Sequence, residues 1–115
     1  MQIHPREIRI YTTPNGRAPY RQWYTRIKDE KLRTIISTRL PRVETGNLGD
    51  FKRLNQDLYE LRIRYGPGYR IYFGSFQNTV VILLCAGTKG TQRRDITRAQ
   101  NYWNDFIQQT KEQSQ

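Results

Sequence analysis

The stretch Leu58-Tyr59-Glu60-Leu61-Arg62-Ile63-Arg64-Tyr65-Gly66-Pro67-Gly68-Tyr69-Arg70-Ile71-Tyr72-Phe73-Gly74-Ser75-Phe76 decides how this chain folds. Leu58–Tyr65 and Tyr69–Phe76 alternate with period two, as strands do, because successive strand side chains point to opposite faces. Between them, Pro67 presets one backbone dihedral and Gly66 and Gly68 accept positive φ, so the stretch reads as a β-hairpin. With Tyr65 set opposite Tyr69, Arg64 faces Arg70, Ile63 faces Ile71 and Arg62 faces Tyr72. Tyr59, Leu61, Ile63, Tyr65, Ile71 and Phe73 then share the face expected to lie under helices. Glu60, Arg62, Arg64, Arg70 and Tyr72 share the other.

Two arginines directly across an antiparallel pair repel each other, at a cost of some tenths to about 1 kcal/mol. A sheet that only had to fold would avoid this arrangement, whereas an anion held between them turns the repulsion into a clamp. Outward toward the C-terminus, Val80–Ala86 is continuously apolar, the pattern of a strand buried on both faces. It runs into Gly87-Thr88-Lys89-Gly90-Thr91-Gln92, a polar turn that opens a helix, and amides at a helix start favour an anion. Lys89 is expected beside the arginine face. Arg62, Arg70, Lys89 and Tyr72 are therefore the candidate catalytic residues, with Arg64, Thr91, Gln92 and Arg93 as candidate phosphate contacts.

Ile96, Ala99, Trp103 and Phe106 line one side of the C-terminal helix. Outward toward the N-terminus, Glu7-Ile8-Arg9-Ile10-Tyr11 alternates as a strand, and Thr13-Pro14-Asn15-Gly16 marks a turn. Ala18–Ile27 carries Tyr20, Trp23, Tyr24 and Ile27 at helical spacing, with Pro19 suited to the first turn. Asp29 is placed to cap a second helix whose stripe is Leu32, Ile36, Leu40 and Val43. Pro41 falls inside that stripe, and an interior proline costs about 3 kcal/mol, so a kink or an early end is expected near Leu40. Gly46-Asn47-Leu48-Gly49-Asp50 reads as a loop. The order is β-α-α-β-β-β-α, an α+β fold with two N-terminal helices and one C-terminal helix. The helices are expected on one face of a small, mostly antiparallel sheet, with the other face open. One domain spans 1–110 with a polar tail, 111–115, and Gln108–Gln115 is expected to fray.

The 115 residues carry a formal charge of +10, and fifteen of the twenty basic side chains are Arg. The planar guanidinium matches a phosphate through two hydrogen bonds, so a polyanionic partner is expected. Cys85 is alone within an apolar run, which excludes an internal disulfide and suggests a buried thiol. The run Val80–Ala86 is too short to cross a membrane, and no signal peptide opens the chain, so a cytoplasmic location is expected. The lone His4 rules out a Ser-His-Asp set unless it folds into the site. No Cys/His or carboxylate spacing suggests a metal, and no phosphate-cradling glycine loop is present. Any catalyst made from these residues works by positioning and by cationic stabilisation of a phosphorane-like transition state. Arg is effectively never neutral, which leaves Lys89, Tyr72 and Glu60 as the candidates for proton transfer.

Gly46–Asp50, Glu60–Phe73 and the segment Gly87-Thr88-Lys89-Gly90-Thr91-Gln92-Arg93-Arg94-Asp95-Ile96 closely resemble the addiction module killer proteins. These are a HigB-like branch of the RelE/ParE toxin superfamily. With Trp23 and the two helices, the resemblance covers nearly the whole chain. It implies a curved antiparallel sheet and the toxin role of a type II toxin–antitoxin system. In RelE-type members that role is metal-free, cofactor-free mRNA cleavage in the ribosomal A site, where the 2′-hydroxyl attacks the adjacent phosphate. The resemblance also implies a cognate antitoxin, often of helix-turn-helix type, as partner alongside the ribosome and mRNA. Arg70 matches the position that holds the scissile phosphate, Arg62 a basic strand position, and Lys89 a cation after the last strand. Glu60 departs from the basic residue of the best-known RelE toxins, and their C-terminal catalytic Tyr has no clear counterpart. Alternative roles within the same superfamily are a ParE-like inhibitor of DNA gyrase, acting without catalysis, and an inactive relic that only binds antitoxin.

Overall fold

The computed structural model describes residues 6–113, so His4 lies outside the described residues. The elements are β1 (Glu7–Ile10), α1 (Pro19–Thr25), α2 (Glu30–Glu44), β2 (Phe51–Arg53), β3 (Leu58–Ile63), β4 (Tyr69–Phe76), β5 (Val80–Thr88) and α3 (Gln92–Gln113). A single 3-10 turn, Lys89–Thr91, joins β5 to α3. The sheet order is β1-β5-β4-β3-β2. β1 runs parallel to β5 and the other pairs are antiparallel, so the α+β sheet is mixed and open. The short edge strand β2 follows the expected Gly46–Asp50 loop and was not legible as a strand.

The expectation of one covered face and one open face is overturned. α1 and α2 cover one face through Tyr20, Leu32, Ile36 and Val43, packed against Leu61, Ile63, Ile71, Phe73, Val81 and Leu83. α3 covers the other, where Ala99 and Trp103 meet Leu58, Tyr72, Ile82, Leu84 and Cys85. The apolar stripe of α3 needs a face of its own, and the continuous apolar run of β5 provides it on the side away from α1 and α2. A β-bulge between Tyr72 and Phe73, where Cys85 and Leu83 are the respective partners, leaves Leu84 as the extra residue. Leu84 and Cys85 therefore both face α3. Gly74 makes the close approach possible, because a Cβ there would lie 2.2 Å from the Trp103 ring. The Cys85 thiol is buried and pushed up to about 12 by desolvation, as expected of an inert core cysteine.

The hairpin register also differs from the expected one. Arg62 pairs with Arg70, Glu60 with Tyr72 and Ile63 with Tyr69. Both strands stop short of the turn, so Arg64–Gly68 forms a five-residue connection, and the Gly68 amide donates to the Tyr65 carbonyl at 3.0 Å. Lengthening the turn slides the pairing by two residues, and an even slip preserves the face of every side chain.

α2 runs through Pro41 to Glu44 instead of ending near Leu40. Pro41 and Ser37 are both exposed, so the carbonyl that loses its amide partner can be solvated, while Ile36 and Val43 stay anchored in the core. Asp29 caps α2 as expected, accepting from the Lys31 and Leu32 amides at 3.0 and 3.2 Å. At the other end of the chain, α3 continues through the segment expected to fray, as far as Gln113. No helix among the described residues is long and apolar enough to cross a membrane.

Candidate functional site

The hairpin places Arg62 and Arg70 side by side across β3 and β4, and the nearest charge to both is Glu60. Strand alternation puts Glu60 on the same face as Arg62, two residues away, and its side chain is fully buried. Its carboxylate accepts from Arg62 Nε at 2.9 Å, Gln92 Nε2 at 2.8 Å and the Tyr72 hydroxyl at 3.1 Å. Arg70 Nε lies 3.4 Å from Glu60 Oε1, close enough for an ion pair, but its N–H is not aimed for a hydrogen bond. Burial pushes the Glu60 carboxyl up, and the hydrogen bonds from Arg62, Gln92 and Tyr72 with the Arg70 charge outweigh it, so Glu60 stays ionised below the usual carboxylate range. The cross-strand arginine repulsion is thus relieved from within by one buried carboxylate.

Above this base, a pocket of about 540 Å³ opens at the end of the hairpin. Arg62, Arg64, Arg70 and Lys89 line it together with the Tyr65–Tyr69 turn. Gly68, at φ +81°, separates the Arg70 guanidinium from Lys89, and its carbonyl accepts the Lys89 amide at 2.9 Å. The arginines differ in freedom. The Arg70 side chain is 12% exposed, Arg62 28% and Arg64 81%. Arg64 is tied at 2.7 Å to Asp50, whose carboxyl this hydrogen bond holds below its usual range. Two partly buried cations, Arg62 and Arg70, and two exposed ones, Arg64 and Lys89, thus line one pocket.

Tyr72, a candidate catalytic residue on an open face, is instead fully buried under α3. Its hydroxyl is directed at Glu60, and desolvation with the adjacent Glu60 charge raises its pKa. It positions the carboxylate and does not line the pocket. Gln92, expected to meet phosphate, turns its amide inward to Glu60. The Thr91 hydroxyl is engaged with Asp95 and with Thr88 in the cap that opens α3. Arg93 is exposed and lines a separate shallow pocket with Gly90, Thr91, Arg94 and Thr97. Of the eight expected residues, the structure therefore brings Arg62, Arg64, Arg70 and Lys89 to one pocket.

Arg39 carries a positioning role that sequence reasoning missed. From α2 its guanidinium donates to the carbonyls of Arg62 at 2.6 Å, Leu48 at 2.9 Å and Asp50 at 3.1 Å. It locks the backbone that presents Arg62. Its position three residues after Ile36 and one before Leu40 was the available signal, since a cation beside an apolar stripe lies at the boundary of the core. Among the described residues no group of three or more His, Cys, Asp or Glu side chains could hold a metal ion.

No family model matches the chain. It is 40% identical over 92 residues to an uncharacterized protein of Haemophilus influenzae, a match that covers 80% of this chain and 89% of that one. The chain belongs to the same family as that protein.

Proposed function

We propose that this family member is the toxin of a type II toxin–antitoxin pair, acting in the cytoplasm as a ribosome-dependent mRNA endoribonuclease. The observation that carries the reading is the pocket in which Arg62, Arg64, Arg70 and Lys89 converge at the hairpin end. Four cations around one small space favour a phosphodiester whose charge grows in the transition state. In the proposed reaction the 2′-oxygen forms a bond to phosphorus while the bond to the 5′-oxygen breaks, leaving a 2′,3′-cyclic phosphate. Arg62 and Arg70, held by Glu60, stabilise the equatorial oxygens. Burial removes Glu60 and Tyr72 from contact with substrate, so Lys89 supplies the proton to the departing 5′-oxygen and water takes the proton of the 2′-hydroxyl. A cognate antitoxin with an acidic segment, complementary to the basic pocket, silences it.

The test is tightly induced expression in a bacterial host with mapping of mRNA 5′ ends on and off ribosomes. Removing one preorganised transition-state donor costs on the order of a hundredfold or more in rate, and Arg70→Ala is expected to lose at least that and to relieve growth arrest. Ribosome-dependent cuts that persist in Arg70→Ala would remove this site. Arrest with uncut mRNA would replace a nuclease with a binding inhibitor such as one directed at gyrase.

A further inference from the structure

A second basic pocket, of about 370 Å³, lies on the far side of the β5 end, between α1 and α3. β1 pairs with β5 only as far as Leu83, so the outer edge of Cys85–Thr88 borders this pocket instead of another strand. Arg17, Arg26, Arg94 and Arg98 line it, with Gln22 and Trp23 from α1. One carboxylate, Asp95, faces these guanidinium groups, 3.2 Å from Arg98 and 3.7 Å from Arg94, and it is buried at their base. Arg17 and Arg26 are exposed and make no ion pair among the described residues. Every cation in the pocket is an arginine, the side chain whose fork fits phosphate with two hydrogen bonds.

Two features connect this pocket to the one at the hairpin end. Trp23 of the second pocket lies against Tyr69 of the first, with ring centroids 6.4 Å apart, so an aromatic ridge divides them. On the α3 side, Thr91 and Arg94 line both the second pocket and the shallow one that holds Arg93 and Gly90, next to Lys89. Cationic hollows on either side of an aromatic ridge form the pattern used for single-stranded nucleic acid, with phosphates in the grooves and bases on the rings.

We infer that the Arg17/Arg26/Arg94/Arg98 pocket is a second phosphate site for a single-stranded polynucleotide, continuing the strand whose phosphate occupies the hairpin pocket. The continuity of one strand rests on the function proposed above, while occupancy of the second pocket by phosphate does not. The ridge allows a base to stack on Trp23 or Tyr69 between the two phosphates.

The test measures binding of a fluorescein-labelled, 2′-O-methylated twelve-nucleotide RNA, which this chemistry cannot cleave, by anisotropy across a salt series. Single-stranded binding loses about 0.7 from the slope of log affinity against log salt for each phosphate contact removed. Arg17→Ala/Arg26→Ala, at exposed positions outside the core, is expected to weaken binding and to lower the slope by up to about 0.7, the loss of the one phosphate held in this pocket. Arg21→Ala/Lys28→Ala makes the same charge change away from the pocket and is expected to leave the slope nearly unchanged. Equal losses in both double variants, or none in either, would overturn the site. With a labelled oligoglutamate measured in the same way, its loss in Arg17→Ala/Arg26→Ala while RNA binding is retained would also overturn it, in favour of a peptide carboxylate pocket. If the wild type binds RNA through this pocket yet cuts no mRNA, the second site stands and the nuclease reading falls. If cleavage requires Arg70 while the slope is unchanged in Arg17→Ala/Arg26→Ala, the nuclease reading stands and the second site falls.

Discussion

Glu60 and Asp95 are both fully buried carboxylates set beneath arginines, one under each basic pocket, and they are built differently. Glu60 stands on β3, an interior strand beside the edge strand β2, and its partners come from β3, β4 and the start of α3. The arginine nearest the interior, Arg70, is only 12% exposed. Asp95 stands in the first turn of α3, where a negative charge suits the helix dipole. Its arginine partners, Arg98 and Arg94, are 40% and 69% exposed, and its remaining partner is the Thr91 hydroxyl one turn earlier. A charge pair in the interior is stiff because neither partner has water to fall back on, whereas solvent screens exposed pairs. The hairpin pocket is therefore the more preorganised, which suits the proposed chemistry, and the α1–α3 pocket the more adaptable, which suits the proposed strand binding.

The sharpest way to break this contrast is Glu60→Ala, which leaves Arg62 and Arg70 facing each other without a counter-charge. Removing one partner of a buried pair costs about 3–5 kcal/mol, and partial exposure of both arginines places the expected loss near the lower end in urea unfolding. A loss well under about 1 kcal/mol, the scale of an exposed pair, would show that Glu60 is not what holds the arginines. Gly87→Ala attacks the other carboxylate, since a Cβ there would lie 1.9 Å from Asp95 Oδ2. Overpacking of this kind costs about 1–3 kcal/mol, and thermal melting is expected to show it. Gly90→Ala, whose Cβ meets nothing nearer than Thr88 Oγ1 at 3.6 Å, serves as the control.

Acid sharpens the contrast further. The folded state holds the Glu60 carboxyl below its ordinary 4.5, so its contribution to stability is fully present above that pH and disappears as pH falls through the lowered folded value. Glu60→Gln is expected to flatten this acid limb in unfolding titrations, and an unchanged limb would assign acid lability to other carboxylates such as Asp50 and Asp29. The smallest effect is expected from Asp50→Ala, which frees an Arg64 that is already 81% exposed. Exposed pairs contribute about 0.2–1 kcal/mol, so stability is expected to shift little, and under the proposed function RNA affinity is expected to rise slightly as a competing carboxylate disappears.

Several elements were legible because their signals are local. Period-two alternation marked β3 and β4, an unbroken apolar run marked β5, and Asp29 with its following stripe marked α2. Face assignment on the hairpin survives the altered register because the slip is even, so alternation alone places Arg62, Arg70 and Glu60 on one face. Lys89 followed from the turn after β5. Tyr72 was misplaced because strand alternation reports a face and says nothing about what covers it. The unbroken run of β5 already required cover on both sides, and α3, with its own apolar stripe, was the element available to provide it.

What the sequence by itself determined is the set of elements, the charge, and the pairing of arginine-bearing and apolar faces, since each depends on residues a few positions apart. Only the tertiary structure decided the register, through the length of the Arg64–Gly68 turn, and the docking of α3 on the second face. It also decided that Glu60 is sealed beneath the arginines and that residues from the α1 and α3 regions converge in a second basic pocket. Those outcomes depend on contacts between segments separated by tens of residues, whose geometry is set by packing and by the need to pair buried charge, and no local pattern encodes it.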